Sequence, residues 1–169
     1  ALTLDELDVI DKAYHEANQT NTVRLMVGFN RRYAPHVVKM RELLDSHRSP
    51  KSIIMTVNAG AIPGEHWVQN SLIGGGRIIG EGCHFIDLMR HLVGHKINGF
   101  TATMIGNVPG VEVREDKASV TLSFEDGSFG TIHYLANGGS VFPKERVEVF
   151  CDDAVLQMDN YRVLTGYGW

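Results

Sequence analysis

The sequence predicts an α+β domain, a largely antiparallel open sheet with helices on one face, and three observations carry that expectation. Apolar residues at helical spacing are confined to the first half of the chain. From residue 97 onward the period drops to two, with Ala118, Val120, Leu122 and Phe124 alternating with Ser119, Thr121 and Ser123. Asp126-Gly127 then stands between two such runs and is the strongest hairpin signal present.

In chain order, Thr3-Leu4-Asp5-Glu6 reads as a capping box. Leu4, Leu7, Ile10, Ala13, Tyr14 and Ala17 give the next helix one apolar face, ending near Asn18. Residues 23–29 read as a buried strand, and Asn30-Arg31-Arg32-Tyr33 leaves it. Pro35 suits the first turn of a second helix running to about Asp45. Residues 52–58 form the next expected strand, and residues 59–72 an irregular loop containing Pro63, His66 and Trp67. A third helix spans residues 81–93, with Cys83, Ile86, Met89, Leu92 and Val93 at helical spacing and Gly94 placed to end it. Strands are expected at 99–105, 117–124, 128–135, 146–151, 154–158 and, briefly, 161–164, with a second hairpin at Cys151-Asp152-Asp153-Ala154. The sheet face away from the helices is expected to mix Thr, Ser and His with Ile132, Tyr134 and Val149, which suits either water or a homo-oligomeric sheet-to-sheet contact.

Composition narrows the function classes. With 169 residues, 43% of them hydrophobic, the chain can bury a substantial core. A net charge of -4 with scattered Lys and Arg offers no stripe for a nucleic-acid backbone. Cys83 and Cys151 form neither a disulfide framework nor a zinc pattern, so a reducing, cytoplasmic setting is expected. No run approaches the roughly 18 apolar residues of a membrane span.

The chemistry is expected in the stretch from Gly74-Gly75-Gly76 to Glu81, His84 and Asp87. Glycines loosen the backbone or permit close packing, after which a carboxylate and an imidazole lie three residues apart at a helix start, where unpaired N–H groups favour negative charge. Glu81 and His84 are expected on one face of the first turn, Glu81 orienting the imidazole and favouring its charged form. Arg32 and Tyr33 leave a strand end and suit a hydroxylated or anionic ligand, or else form a surface turn. Asn30 reads as a turn residue or a ligand contact, and Trp67 as a lid or a loop anchor. His84, Asp87 and His91 share a helix face, but with no evident fourth ligand no metal is assigned.

These pieces, in this order, resemble the glucose-fructose oxidoreductase, inositol dehydrogenase and rhizopine-catabolism (Gfo/Idh/MocA) family. Residues 2–7 look like the helix after that family's Glu-Lys-Pro motif, residues 27–35 like its next strand and turn, and Trp67, Gly74-Gly75-Gly76, His84 and Asp87 like its path into the catalytic helix. The resemblance implies a Rossmann domain binding NAD or NADP followed by an α+β domain for substrate and oligomerisation. On that basis residues 1–20 would be the last helix of an absent nucleotide-binding domain and residues 21–169 the second domain, truncated at its C-terminus. No Gly-x-Gly-x-x-Gly lies between a strand and a helix here, so the cofactor would be held mainly by the absent part, and this piece alone would be inactive. The implied substrate is a sugar, sugar nucleotide or polyol. His84 is implied as the proton-handling residue, with Glu81 beside it and Asn30, Arg32, Tyr33, Trp67 and Asp87 toward substrate. One departure is plain: the family commonly carries an aspartate four residues before the histidine, where this chain has Gly80, and Glu81 is the candidate substitute. A non-enzymatic binding or assembly module on the same fold is the alternative.

Overall fold

The computed structural model describes residues 1–169. Helix α1, Leu4–Thr20, starts at Thr3, whose side chain accepts a hydrogen bond from the Glu6 N–H. The Glu6 carboxylate reaches back to the Leu2 N–H at 2.6 Å, so both orphan donors are met, one residue earlier than the capping box anticipates. No residue of α1 is buried, and its apolar face lies open.

Residues 23–29 form no strand, and Leu25, Met26 and Val27 are exposed. The expectation of a buried strand is therefore corrected. An apolar run supplies the side chains of a strand, but no neighbouring backbone within this chain supplies its ladder. Asn30–Tyr33 forms a 3₁₀ turn, and Pro35 opens α2, Pro35–Leu44.

The sheet has seven strands: β1 Ser52–Asn58, β2 Ile97–Met104, β3 Lys117–Phe124, β4 Phe129–Leu135, β5 Glu145–Cys151, β6 Ala154–Asp159 and β7 Val163–Tyr167. Their order is β2-β3-β4-β1-β5-β6-β7, so the one strand from the first half lies at the centre of a sheet otherwise built by the second. β1 runs parallel to β4 and every other pairing is antiparallel.

Tight turns follow from local chemistry. Gly127, at φ +87°, closes the β3–β4 hairpin. Asp152 and Asp153, both at positive φ, supply the two left-handed residues that a primed β5–β6 turn requires. The last strand begins at Val163 rather than 161, because Asn160 and Tyr161 are themselves left-handed turn residues.

Helix α3, Cys83–Val93, lies with α2 across one face of the sheet. Its Phe85, Leu88, Met89 and Leu92 meet Val37, Met40 and Leu44 of α2 and the inward residues of the strands in a single core. Gly94, at φ +84°, ends α3 with its N–H bonded to the Arg90 carbonyl. Gly94→Ala is expected to destabilise the chain by about 1–2 kcal/mol, because a β-carbon is disfavoured in that conformation. A drop in the urea midpoint at unchanged slope is the check.

Alternation divides the residues assigned to the open sheet face. Ile132, Tyr134 and Val149 point to the helices and are buried, so that part of the expectation is corrected. The opposite face carries Thr121 and Thr131, their hydroxyls 2.9 Å apart, and Ser119 with His133 at 2.8 Å. Ile54, Phe129, Leu135 and Phe150 are exposed on the same side. No helix is long and apolar enough to cross a membrane.

Candidate functional site

The parallel pairing of β1 with β4 brings their C-terminal ends together, and antiparallel β5 begins at that same edge, where Glu145 faces Val57. Ligands of α/β sheets gather at the carboxyl ends of such strands. Here the 3₁₀ turn Asn30–Tyr33 lies against α3. Three residues per turn send consecutive arginines in different directions. Arg31 makes a fork to Glu145, with bonds of 3.0 and 2.8 Å, and its guanidinium lies 4.4 Å from the centre of the Phe85 ring. Arg32 makes a second fork, to Asp87, with Nε at 3.1 Å and Nη2 on the other oxygen. Neither oxygen of Asp87 is bonded to the Arg32 Nη1, which is left for another acceptor.

His84 stands one residue before the first core residue of α3. Its ring meets the edge of Phe29 at 5.6 Å between centres, and its Nδ1 is buried without a hydrogen-bond partner. Burial, reinforced by the positive charge of Arg31, pushes the imidazole pKa below its ordinary value; Asp87, Glu145 and Glu81 oppose more weakly. The ring is therefore neutral near pH 7 and able to accept a proton.

The expected Glu81–His84 partnership does not form. The helix opens earlier than the spacing indicates, and Ile78–Gly82 is a π-helical turn leading into α3. That turn directs Glu81 to Arg77, at 3.0 and 3.3 Å, and to the Tyr134 hydroxyl, which donates at 2.8 Å. Burial would raise the Glu81 pKa, but the bonds from Arg77 and Tyr134 outweigh it and hold the carboxyl below its ordinary value. The imidazole is not driven toward its charged form, contrary to expectation.

The glycine run has a mechanical use. A β-carbon on Gly74 would stand 2.5 Å from the Cα of Val68, and Gly75 and Gly76 both adopt positive φ, so the loop carrying Trp67 can turn sharply into the helix.

Of the residues singled out from sequence, His84, Arg32 and Asp87 come together on α3 and the turn beside it. Tyr33 is 71% exposed and Trp67 60% exposed beside His66, while Asn30 is exposed on the 3₁₀ turn; none makes a side-chain hydrogen bond to that cluster. No three His, Cys, Asp or Glu side chains converge to hold a metal ion. A groove of about 500 Å³ opens along α3, lined in part by Phe29, Cys83, Ile86 and Asp87.

Arg31, Glu145, Arg77 and Tyr134 were not singled out. Two of them left a trace: Arg77 and Glu81 are a readable i, i+4 ion pair, and Glu145 occupies an inward position in phase with Val147, Val149 and Cys151. A charge at an apolar phase calls for a buried partner, which is Arg31.

Residues 37–157 match the GFO/IDH/MocA C-terminal domain. The oxidoreductase YrbE of Bacillus subtilis is 28% identical over 148 residues, 85% of this chain and 42% of the relative. Inositol 2-dehydrogenase of Rhizobium meliloti is 27% identical over 156 residues, covering 86% and 46%. Among solved structures, the WlbA dehydrogenase from Bordetella pertussis, in complex with NADH and UDP-GlcNAcA, superposes with a TM-score of 0.75 at 17% identity, over 97% of this chain and 52% of the other. The chain thus spans less than half the length of these curated relatives.

Proposed function

The chain belongs to the GFO/IDH/MocA oxidoreductase family, and from that premise we propose that it is the substrate-binding and oligomerising part of an NAD- or NADP-dependent oxidoreductase acting on a sugar, sugar nucleotide or polyol hydroxyl. The observation that carries the reading is His84: a neutral imidazole with a buried, unpartnered Nδ1, flanked by the Arg31 and Arg32 forks. The orphaned nitrogen fits a site completed by groups outside this chain. When bound, the nicotinamide supplies the hydride acceptor. His84 takes the proton that leaves the substrate hydroxyl, and Arg32, held by Asp87, offers its free Nη1 to a substrate oxygen. Tyr33, exposed on the turn beside Arg32, and Trp67, exposed on its loop, would stack on a sugar ring, and Asn30 would bond a hydroxyl.

Residues 1–20 and the open apolar run Leu25, Met26 and Val27 would pack into a Rossmann domain of the same protein, which holds most of the cofactor. A cytoplasmic location agrees with two free thiols, Cys83 and Cys151, that form no disulfide. The face carrying Ile54, Phe129, Leu135 and Phe150 would pair with a second copy. Replacing Ile54 and Phe150 by aspartate is expected to leave the full-length protein monomeric in sedimentation velocity; an unchanged oligomer would move the contact elsewhere.

The deciding experiment screens the full-length protein with NAD and NADP against sugars, sugar nucleotides and cyclic polyols, following reduced nicotinamide. Substrate-dependent reduction is expected, and its absence throughout would remove the enzymatic reading. The second reading, a binding or assembly module, draws on Gly80 and on Glu81 turning away from His84. It predicts calorimetric binding of a panel member without turnover.

A further inference from the structure

We infer that Arg77, Glu81 and Tyr134 form a positioning unit that fastens the π-helical turn before His84 and so sets where the imidazole points. Its meaning for catalysis rests on the role proposed above for His84.

A π turn is rare because its geometry is poor, and it persists where partners outside the helix hold it. Here nearly every polar group of one guanidinium is committed to that task. Arg77, 3% exposed, bonds the Glu81 carboxylate through Nε and Nη2, the Gly60 carbonyl through Nη1 and the Ala59 carbonyl through Nη2 at 3.1 Å. The Tyr134 ring lies 5.4 Å from the guanidinium, and its hydroxyl closes the circuit on Glu81. One cation therefore joins the chain leaving β1, the turn itself and β4.

The apolar core cannot do this work alone. It pins α3 from Phe85 onward through Leu88, Met89 and Leu92 and meets the π turn at Ile78, whereas Glu81, Cys83 and His84 between them lie outside it. The extra residue of a π turn rotates the downstream helix by about 100° relative to an unbroken α-helix. Loss of the clamp lets residues 79–84 relax or fray, and the His84 ring then loses its shelter against Phe29. With both oxygens of Glu81 engaged, the carboxylate acts through the turn rather than on a substrate.

The sign of one measurement separates positioning from simple electrostatics. The charged groups acting on His84 are Arg31 from the 3₁₀ turn, Asp87 from α3, Glu145 from β5 and Glu81 from the π turn. Glu81 as a bare charge raises the imidazole pKa, so removing that charge alone would lower the midpoint further. Loss of shelter raises it toward the ordinary value, since burial is the larger cause of its depression.

The test uses the full-length protein, reading the His84 midpoint by deuterium exchange at the imidazole C2 position with mass spectrometry, and folding by thermal melting. Tyr134→Phe removes one hydroxyl and no charge. It is expected to melt cooperatively, to raise the His84 midpoint and to lower kcat about ten- to a hundredfold with KM little changed. Glu81→Gln is expected to raise the midpoint as well. A midpoint that stays fixed in Tyr134→Phe, or that falls in Glu81→Gln, overturns the proposal. Should Tyr134→Phe fail to fold, Arg77→Lys, which keeps the charge but loses the fork, reads the same unit. Because the midpoint is measured without turnover, a protein inert toward every substrate would sink the enzymatic reading and leave this one standing or falling on its own result.

Discussion

His84→Ala in the full-length protein is expected to lower turnover at saturating substrate by about 10²–10⁴-fold, the usual yield of a positioned general base. On the proposed function the loss should fall on kcat with KM little changed, because the Arg32–Asp87 fork assigned to substrate is left intact. The pH profile gives a second readout. Burial and Arg31 depress the His84 pKa, so the acid limb of kcat/KM for the unaltered protein should have its midpoint below the ordinary histidine value of about 6.5. Activity should rise as pH climbs through that midpoint, because only the neutral ring accepts a proton. Stability follows with the same sign: between the folded and unfolded values the unfolded chain binds more protons, so the contribution grows with pH and is lost on acidification. In His84→Ala that acid limb should disappear along with the rate. An unchanged turnover number would end the assignment of this residue.

The fold was legible where one signal answered one question. Ser52–Asn58 and Lys117–Phe124 have the bounds expected from apolar runs and alternation, and Asp126-Gly127 closes the hairpin its dipeptide announces. Where sequence and structure part, a partner far away in sequence is the commonest reason. Residues 23–29 have the composition of a strand, but a strand also needs a neighbour, and composition is silent about that. Ile132 and Tyr134 cannot share a face with Thr131 and His133 in one strand, so alternation alone corrects that expectation, whereas the face of Val149 follows from its register opposite Ile53. The site divides in the same way. His84 and Arg32 stand out by residue type and position and Asp87 by the family resemblance, and the structure sets the three side by side, whereas the π turn, which moves Glu81 from His84 to Arg77, leaves no mark in apolar periodicity. Arg31 was passed over beside Arg32 although its guanidinium is the more buried of the two.

That neglected arginine carries the other large effect. Glu145 is 7% exposed and its carboxylate is met by the Arg31 fork, so Arg31→Ala strands a buried charge and is expected to destabilise the chain by about 3–5 kcal/mol. The Tyr161 hydroxyl lies buried beside this pair with no hydrogen bond of its own, and burial and Glu145 hold the phenol well above its usual pKa, so it stays protonated and its O–H offsets part of the loss rather than all of it. Arg31→Lys should recover part of the loss, as an ammonium supplies the charge without the planar fork. A matched double replacement, Arg31→Met with Glu145→Leu, should recover more, because two apolar side chains of similar volume remove the desolvation penalty along with the attraction. The double variant separates fold from chemistry. It should melt near the parent temperature, yet its His84 midpoint should rise, because Arg31 is the larger of the two opposing charges on that ring. Denaturant midpoints for the parent, the two single variants and the double, read as a double-mutant cycle, give the coupling directly. A single Arg31→Ala variant as stable as the parent would show that water reaches Glu145 after all and that the fork contributes orientation rather than stability.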